Sequence, residues 1–288
     1  MFKKAIKSQS KGRIAIDGPS GAGKTKTALR VARGIVGESG KIALIDSEFG
    51  SASKYADEHD FSVHEMEGNK NPAAYVAALK AAEEAGFDLC IIDSLTHAWE
   101  GTKDLVDKAK GNDPKGNGFS AWSVGSKAWS ELLEAIMGSR MHVLVTMRSK
   151  TEFAQEKNEH GKTVVVKLGL APEIRDGTEF AFDVVVSLDN AHVARITKTR
   201  CSALDNYCET KPGEDLGAVI GSWLGTGVRP EREELEEAAL ALMPMREHEA
   251  FRTWLAKRPP LDKIREQIAK RQPQSPRTPD QEESESVA

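Results

Sequence analysis

Eight consecutive residues, Gly18-Pro19-Ser20-Gly21-Ala22-Gly23-Lys24-Thr25, satisfy the pattern GxxxxGK[ST], with an apolar run before them and a helical run after. That context gives the pattern a physical meaning. Gly21 and Gly23 let the backbone curl so that successive N–H groups face phosphate oxygens, and the following helix adds the positive end of its dipole. Lys24 then reaches the β- and γ-phosphates, Thr25 supplies a hydroxyl to Mg2+, and Lys26 stands beside the cradle. ATP with Mg2+ is the expected ligand pair.

Phosphoryl transfer also needs a carboxylate near the metal and a group that orients the attacking water. Asp93 closes the apolar run "LCIID", where a carboxylate is costly without a purpose, and is the candidate metal-side residue with Thr25. Glu48, in "ALIDSEFGS", follows another apolar run and is the candidate general base. Asp46 competes with it, with capping or support of the site as its other role.

The elements that must position these residues follow from the hydrophobic pattern. Runs at Ile14–Asp17, Lys41–Asp46, Leu89–Asp93 and Met141–Thr146 alternate with helical segments, which predicts an α/β fold with a mostly parallel sheet flanked by helices. The helix before Leu89 carries its own signals: Asn71 as N-cap, Pro72 at its first position and Gly86 past its end. Further on, a hairpin around Glu159-His160-Gly161 and another turning at Asp189-Asn190 predict an antiparallel extension. After about Gly227 the chain becomes charged and helical, and from Gln272 it is polar and acidic. The expected division is therefore a core over 1–227, an accessory helical region over 228–271 and a disordered tail over 272–288.

Composition sets further limits. With 40 Lys and Arg against 44 Asp and Glu, the net charge of −4 provides no global basic field, so any nucleic-acid contact has to be local. Three cysteines without a CxxC pair and seven scattered histidines suggest neither a disulfide framework nor a zinc site. No apolar run reaches about 18 residues and no signal-peptide core follows the basic start, so a cytoplasmic protein without membrane association is expected.

The order of a P-loop, then "IDSE", then "IIDS" resembles the RecA-like recombinase core. In closer detail, "GPSGAGKTKTALRVA", "HVLVTMRSKTEF", "RDGTEFAFDVVVSLD" and "TKTR" are similar to the phage-encoded RecA-like ATPases of the Sak type, over roughly Phe2 to Arg200. The resemblance implies a RecA-like P-loop core that hydrolyses ATP, with Glu48 as catalytic carboxylate and Asp93-Ser94 closing the metal-side strand. It implies single-stranded DNA as partner in annealing or recombination, a single-strand-binding protein alongside, and a homo-oligomer or filament. Lys198 and Arg200 match the basic pair by which such filaments reach a neighbour's γ-phosphate; an exposed basic strand face is the other reading. Where RecA has a phosphate-sensing Gln, this chain has Thr146 and Met147. Thr146 can make one hydrogen bond there, and Arg148 is a substitute sensor. Expected DNA contacts are Arg148, Lys150, Phe153, Lys157, Lys162 and Lys167 on the first hairpin and Lys110 and Lys115 in a mobile loop that also holds Phe119 and Trp122. A solvated hairpin and a ligand-free loop are the alternatives. Phe2-Lys3-Lys4-Ala5 weakly resembles a protomer-docking motif. A protein that binds nucleotide and gates a replication partner with little turnover is the competing function.

Overall fold

The computed structural model describes residues 4–112, 118–157, 163–229 and 231–271, with the backbone alone over 151–170. Phe2, Lys3, Lys115, Lys162, the expected turn at Glu159-His160-Gly161 and the tail from Gln272 lie outside the described residues, as do the side chains of Phe153, Lys157 and Lys167.

Ser10–Thr226 form one compact unit, while the described residues up to Gln9 group with those from Gly227 onward in a second. The first unit is built on a sheet whose strands are β1 (Arg13–Gly18), β2 (Ile42–Asp46), β3 (Ser62–Glu65), β4 (Leu89–Asp93), β5 (His142–Lys157), β6 (Thr163–Pro172), β7 (Val184–Leu188), β8 (Val193–Thr199) and β9 (Cys208–Thr210). They lie in the order β3-β2-β4-β5-β1-β7-β8-β9, with β6 paired to β5. From β3 to β7 the neighbours are parallel; β5–β6, β7–β8 and β8–β9 are antiparallel. This is the expected α/β P-loop core with its antiparallel extension.

Strands β1, β2, β4, β7 and the first part of β5 read as apolar runs because both faces of the sheet are covered there. Ile14, Ile16, Leu44, Ile91, Leu144, Val184 and Val186 pack on α1 (Lys24–Val36) and α5 (Glu214–Gly225) through Leu29, Val31, Leu216 and Ile220. Their neighbours Ala15, Ile45, Ile92, Val143, Val145 and Val185 point the other way. There they meet α2 (Pro72–Glu84), α3 (Leu95–Asn112) and α4 (Gly118–Gly138) through Tyr75, Leu79, Leu95, Trp129 and Leu132. Period-two alternation thus divides each of these central strands between two cores.

Local signals explain the element ends. Asn71 caps α2 by accepting from Ala74 N–H at 3.0 Å, with Pro72 in the first turn. Gly86, two residues past the last helical residue, takes φ +77°. Arg13 is buried, and its guanidinium donates to the carbonyls of Gly12, Met141, Met137 and Ser139, tying β1 to the α4–β5 connection.

Two expectations need correction. The segment 109–122 is not one mobile loop: α3 continues to Asn112 and α4 begins at Gly118. Within it Lys110 pairs with Asp107 one helical turn back, at 3.2 Å, and the Trp122 ring lies 6.2 Å from that of Trp99. Likewise the strand expected to end at Thr146 runs unbroken to Lys157.

The second unit contains α6 (Glu231–Ala241), α7 (His248–Ala256) and α8 (Leu261–Ala269), which bury Ala239, Met243, Phe251, Leu255 and Ile264 among themselves. In the same unit Ser8 bridges to Val228. Among the described residues no helix is long and apolar enough to cross a membrane.

Candidate nucleotide site

β1 delivers the chain into the Gly18–Thr25 loop, and α1 starts at Lys24. Gly21 and Gly23 have φ of +81° and +86°, which an L side chain rarely adopts, so these two glycines are required for the curl. The loop is braced from outside by His192 in the β7–β8 turn, whose Nδ1 lies 3.0 Å from the Ala22 carbonyl. Lys24 Nζ donates to the carbonyls of Gly18 and Pro19 at 2.9 and 2.8 Å. Burial lowers its pKa, and the negative charges of Asp93 and Glu48 oppose that shift. Lys26, expected beside the cradle, pairs with Glu58 and lies over the Tyr55 ring.

Asp93 ends β4, one strand removed from β1, because β5 lies between them. Its carboxylate is buried and accepts from Thr25 Oγ1 at 2.7 Å through one oxygen and from Thr146 Oγ1 through the other. Burial raises its pKa, and the two hydroxyls pull it back. The arrangement joins the start of α1, the end of β4 and the first part of β5 through one side chain. These are oxygen donors, the type Mg2+ prefers, and Mg2+ is ordinarily held by one or two carboxylates together with substrate phosphates. Thr25 and Asp93 therefore fit the metal position.

Glu48 follows β2, which lies beside β4 with Asp46 and Asp93 in register. Asp46 shapes the turn by accepting from the N–H groups of Glu48 (2.6 Å) and Ala52 (3.0 Å). The register also aligns the two Asp-Ser pairs, so that Ser47 Oγ accepts from Ser94 N–H at 2.9 Å. Glu48 itself is contacted by Arg148 through Nε at 3.1 Å and a terminal nitrogen at 2.5 Å, by Ser94 Oγ at 3.3 Å and by His97 Nε2 at 3.8 Å. Partial burial pushes its pKa up, but the Arg148 hydrogen bonds and the His97 and Arg148 charges outweigh this, leaving it lowered.

The model of the AAA domain family matches residues 10–211 of this chain. The chain belongs to the AAA domain family. It is thus a P-loop, nucleotide-binding ATPase-type protein over the unit that carries the site. Among solved structures, a KaiC-like protein of the hyperthermophilic archaeon Pyrococcus horikoshii OT3 is similar at 17% identity, over 68% of this chain and 83% of that one, with a TM-score of 0.39. No curated protein sequence matches.

Within this AAA domain the other expected residues are placed as follows. Lys198 donates to the carbonyls of Glu179, Phe180 and Phe182 at 3.0, 2.9 and 2.6 Å. Arg200, beyond the end of β8, pairs with Asp183 at 2.5 Å. Both basic groups have partners inside their own chain, so neither is an unengaged cation in this conformation. Arg148, expected on a DNA-facing strand, is instead bound to Glu48. Lys150, its neighbour on β5, is exposed and 3.9 Å from Glu173.

Three contacts at the candidate site escaped the sequence reading, the first being the pairing of Arg148, named there as a substitute sensor, with Glu48. Arg148 was legible in principle: it lies two residues after Thr146 on one strand, hence on the same side of the sheet. His97 had no such signal. It is buried on α3, where its Nδ1 sits 2.9 Å from Ser47 Oγ, and burial holds its pKa below the usual imidazole value. Asp17, also buried, accepts from Ser149 and Ser187 at 2.9 and 2.6 Å, fastening the middle of β5 and the end of β7 to β1 just before the P-loop.

Proposed function

We propose that this AAA domain protein is an Mg2+-dependent ATPase that acts on single-stranded DNA, as the Sak-type proteins it resembles are held to do. The observation that carries the ATPase part is the shared carboxylate of Asp93, which links the P-loop hydroxyl of Thr25 to Thr146, with Glu48 at the end of the adjoining strand. In this reading the loop N–H groups and Lys24 hold the phosphates, with the Lys24 ammonium leaving the Gly18 and Pro19 carbonyls for the β- and γ-oxygens. Thr25 and Asp93 hold Mg2+, which when bound neutralises phosphate charge. Glu48 accepts the proton of the water that attacks the γ-phosphorus as the bond to ADP breaks. The Thr146 hydroxyl keeps Asp93 oriented.

The DNA part is supported by resemblance and by the exposed Lys150 at the base of the β5–β6 hairpin. Lys157, Lys162 and Lys167, with Lys110 near the C-terminal end of α3 and Lys115, belong to the same proposal. Assembly into a homo-oligomer beside a single-strand-binding protein in the host cytoplasm completes it. One observation favours a second reading, a nucleotide-gated partner protein with little turnover: Glu48, Lys198 and Arg200 are all engaged in internal pairs.

Steady-state ATP hydrolysis with and without single-stranded DNA, across protein and salt concentration, separates the two. Stimulation by DNA that weakens with salt, and is lost in Lys24→Ala and Glu48→Gln, supports the first reading. Nucleotide binding with turnover indifferent to DNA at low salt rejects it and leaves the second.

A further inference from the structure

His97 is packed close to Glu48, and the ATPase reading gives it no part. It stands in the first turn of α3, 5% exposed, with its two ring nitrogens in different surroundings. Nδ1 lies 2.9 Å from Ser47 Oγ, whereas Nε2 lies 3.8 Å from Glu48 Oε1, beyond hydrogen-bond distance. The hydroxyl of Ser47 decides which nitrogen carries the proton. Its oxygen accepts from Ser94 N–H at 2.9 Å, and its single hydrogen is directed to the Asp93 carbonyl at 3.1 Å. The ring proton then belongs to Nδ1, the second donor to Ser47 Oγ, and Nε2 turns a bare lone pair towards the carboxylate. The gap to Glu48 agrees with that assignment, because an Nε2–H facing an ionised carboxylate closes to a hydrogen bond, whereas two acceptors stay apart. Burial lowers the pKa of the ring; the Lys70 and Arg148 charges add to this, and those of Glu48 and Glu100 oppose it. His97 is thus neutral near pH 7.

We propose that His97 is a positioning residue for proton transfer, whose bare Nε2 accepts a hydrogen bond from Glu48 once that carboxylate has taken the proton of the attacking water. The inference rests on the ATPase reading of Glu48. In the step, an O–H bond of the water breaks and its proton goes to Glu48 Oε1. The electron pair left on the water oxygen forms the new bond to the γ-phosphorus, while the bond to the ADP oxygen breaks. Before the transfer, no proton lies between Nε2 and the charged carboxylate. After it, the new O–H faces an acceptor, and a small rotation of the Glu48 side chain closes the gap. An interaction made only as the proton moves lowers the barrier without tightening substrate binding. His97 in this way offsets Arg148, whose hydrogen bonds favour the ionised form of Glu48. Ser47 keeps the ring in place, since its own N–H donates to the Asp93 carbonyl at 2.7 Å and so ties the ends of β2 and β4 together.

Two measurements on the full chain test this. The first is heteronuclear NMR of the histidine rings in nucleotide-free protein at pH 7, where loss of one of the seven histidine signals in His97→Gln identifies the ring. A proton on Nδ1 with a bare Nε2 supports the proposal, and a proton on Nε2 overturns it. The second is steady-state ATP hydrolysis against pH for wild type, His97→Ala and His97→Gln, with thermal melts to verify folding. A neutral hydrogen bond made only in the transition state is worth about tenfold in rate, so His97→Ala lowers kcat by about that factor and leaves KM within about twofold. Protonation of Nε2 removes the acceptor, so wild-type kcat falls as pH drops through the lowered pKa of the ring. His97→Gln, whose amide oxygen accepts but does not titrate, recovers part of kcat and moves that fall to lower pH. Equal losses in the two variants with the acidic fall unmoved, or kcat and KM worsening together, mark His97 as structural only and overturn the proposal while the ATPase reading stands. Absence of hydrolysis by wild type refutes the ATPase reading itself and this role with it.

Discussion

The P-loop helix is held by a seam of glycines, and one substitution there has an effect that can be worked out from distances. A Cβ on Gly217 of α5 would sit 2.2 Å from the Val31 carbonyl oxygen of α1 and 2.8 Å from Gly34 Cα. Both are backbone atoms, which cannot rotate aside. Restoring ordinary contact at 3.4 Å or more means parting the helices by about 1 Å along a face that buries Leu29, Val31, Leu216 and Ile220. Overpacking of this kind costs about 1–3 kcal/mol, and here it sits at the upper end because neither helix offers a flexible side chain to yield. Alanine recovers roughly 1 kcal/mol of helix propensity. The net loss for Gly217→Ala is about 2 kcal/mol, a fall of about 4–8 °C in Tm for a unit of this size.

The matched control lies in the same helix. A Cβ on Gly225 meets nothing within 4 Å, so Gly225→Ala leaves Tm unchanged or slightly raised. Thermal unfolding of the full chain followed by circular dichroism reads both. Since α1 begins at Lys24, Gly217→Ala also weakens nucleotide binding by moving the helix that carries the P-loop. A Gly217→Ala variant melting at or above wild type would refute the claim that this seam sets the helix spacing.

Two further predictions concern buried polar groups. His142 Nδ1 accepts from Gly12 N–H at 3.0 Å, and burial together with the Lys11 and Arg13 charges, against Asp88, lowers its pKa from 6.5 to about 4. The unfolded chain therefore takes up the proton first. Its contribution is complete above about pH 6.5 and is lost as pH falls towards 4, amounting to about 2 kcal/mol by pH 5. Urea unfolding at pH 7 and 5 checks this, with His142→Asn, which keeps an acceptor but does not titrate, expected to lose less stability on acidification. Thr146→Val, nearly isosteric, deprives buried Asp93 of a hydroxyl donor. It should reduce stability by about 1.5–3 kcal/mol and raise the Mg2+ concentration needed for nucleotide binding, and unchanged values of both would contradict the role given to Thr146.

The parts of this architecture that were legible in the sequence are those where one environment acts over a whole element. The runs ending at Asp46 and Asp93 are apolar throughout because helices cover both faces of their strands, so their ends, and the carboxylates there, stand out. β5 was misread because its environment changes partway. Up to Met147 it is buried in the sheet, and from Ser149 it pairs with β6 alone, so one 16-residue strand carries two patterns and reads as two elements. The helical ends at Lys110 and Phe119 were hidden for a related reason. Gly111, Asn112 and Gly118 signal a loop locally, while packing of the Trp99, Trp122 and Trp129 rings favours helix.

That change of environment in β5 falls at the residues that matter most to the site. Thr146 and Arg148 share one side of the strand and hold Asp93 and Glu48, the two carboxylates proposed for metal and water. Met147 and Ser149 are anchored separately, in the core and on Asp17. A change in the hairpin that shifted β5 by a single residue would turn Thr146 and Arg148 away from both carboxylates together. Because Asp17 fastens Ser149 and Ser187 beside the P-loop, such a slip is opposed at the point where the strand leaves the sheet.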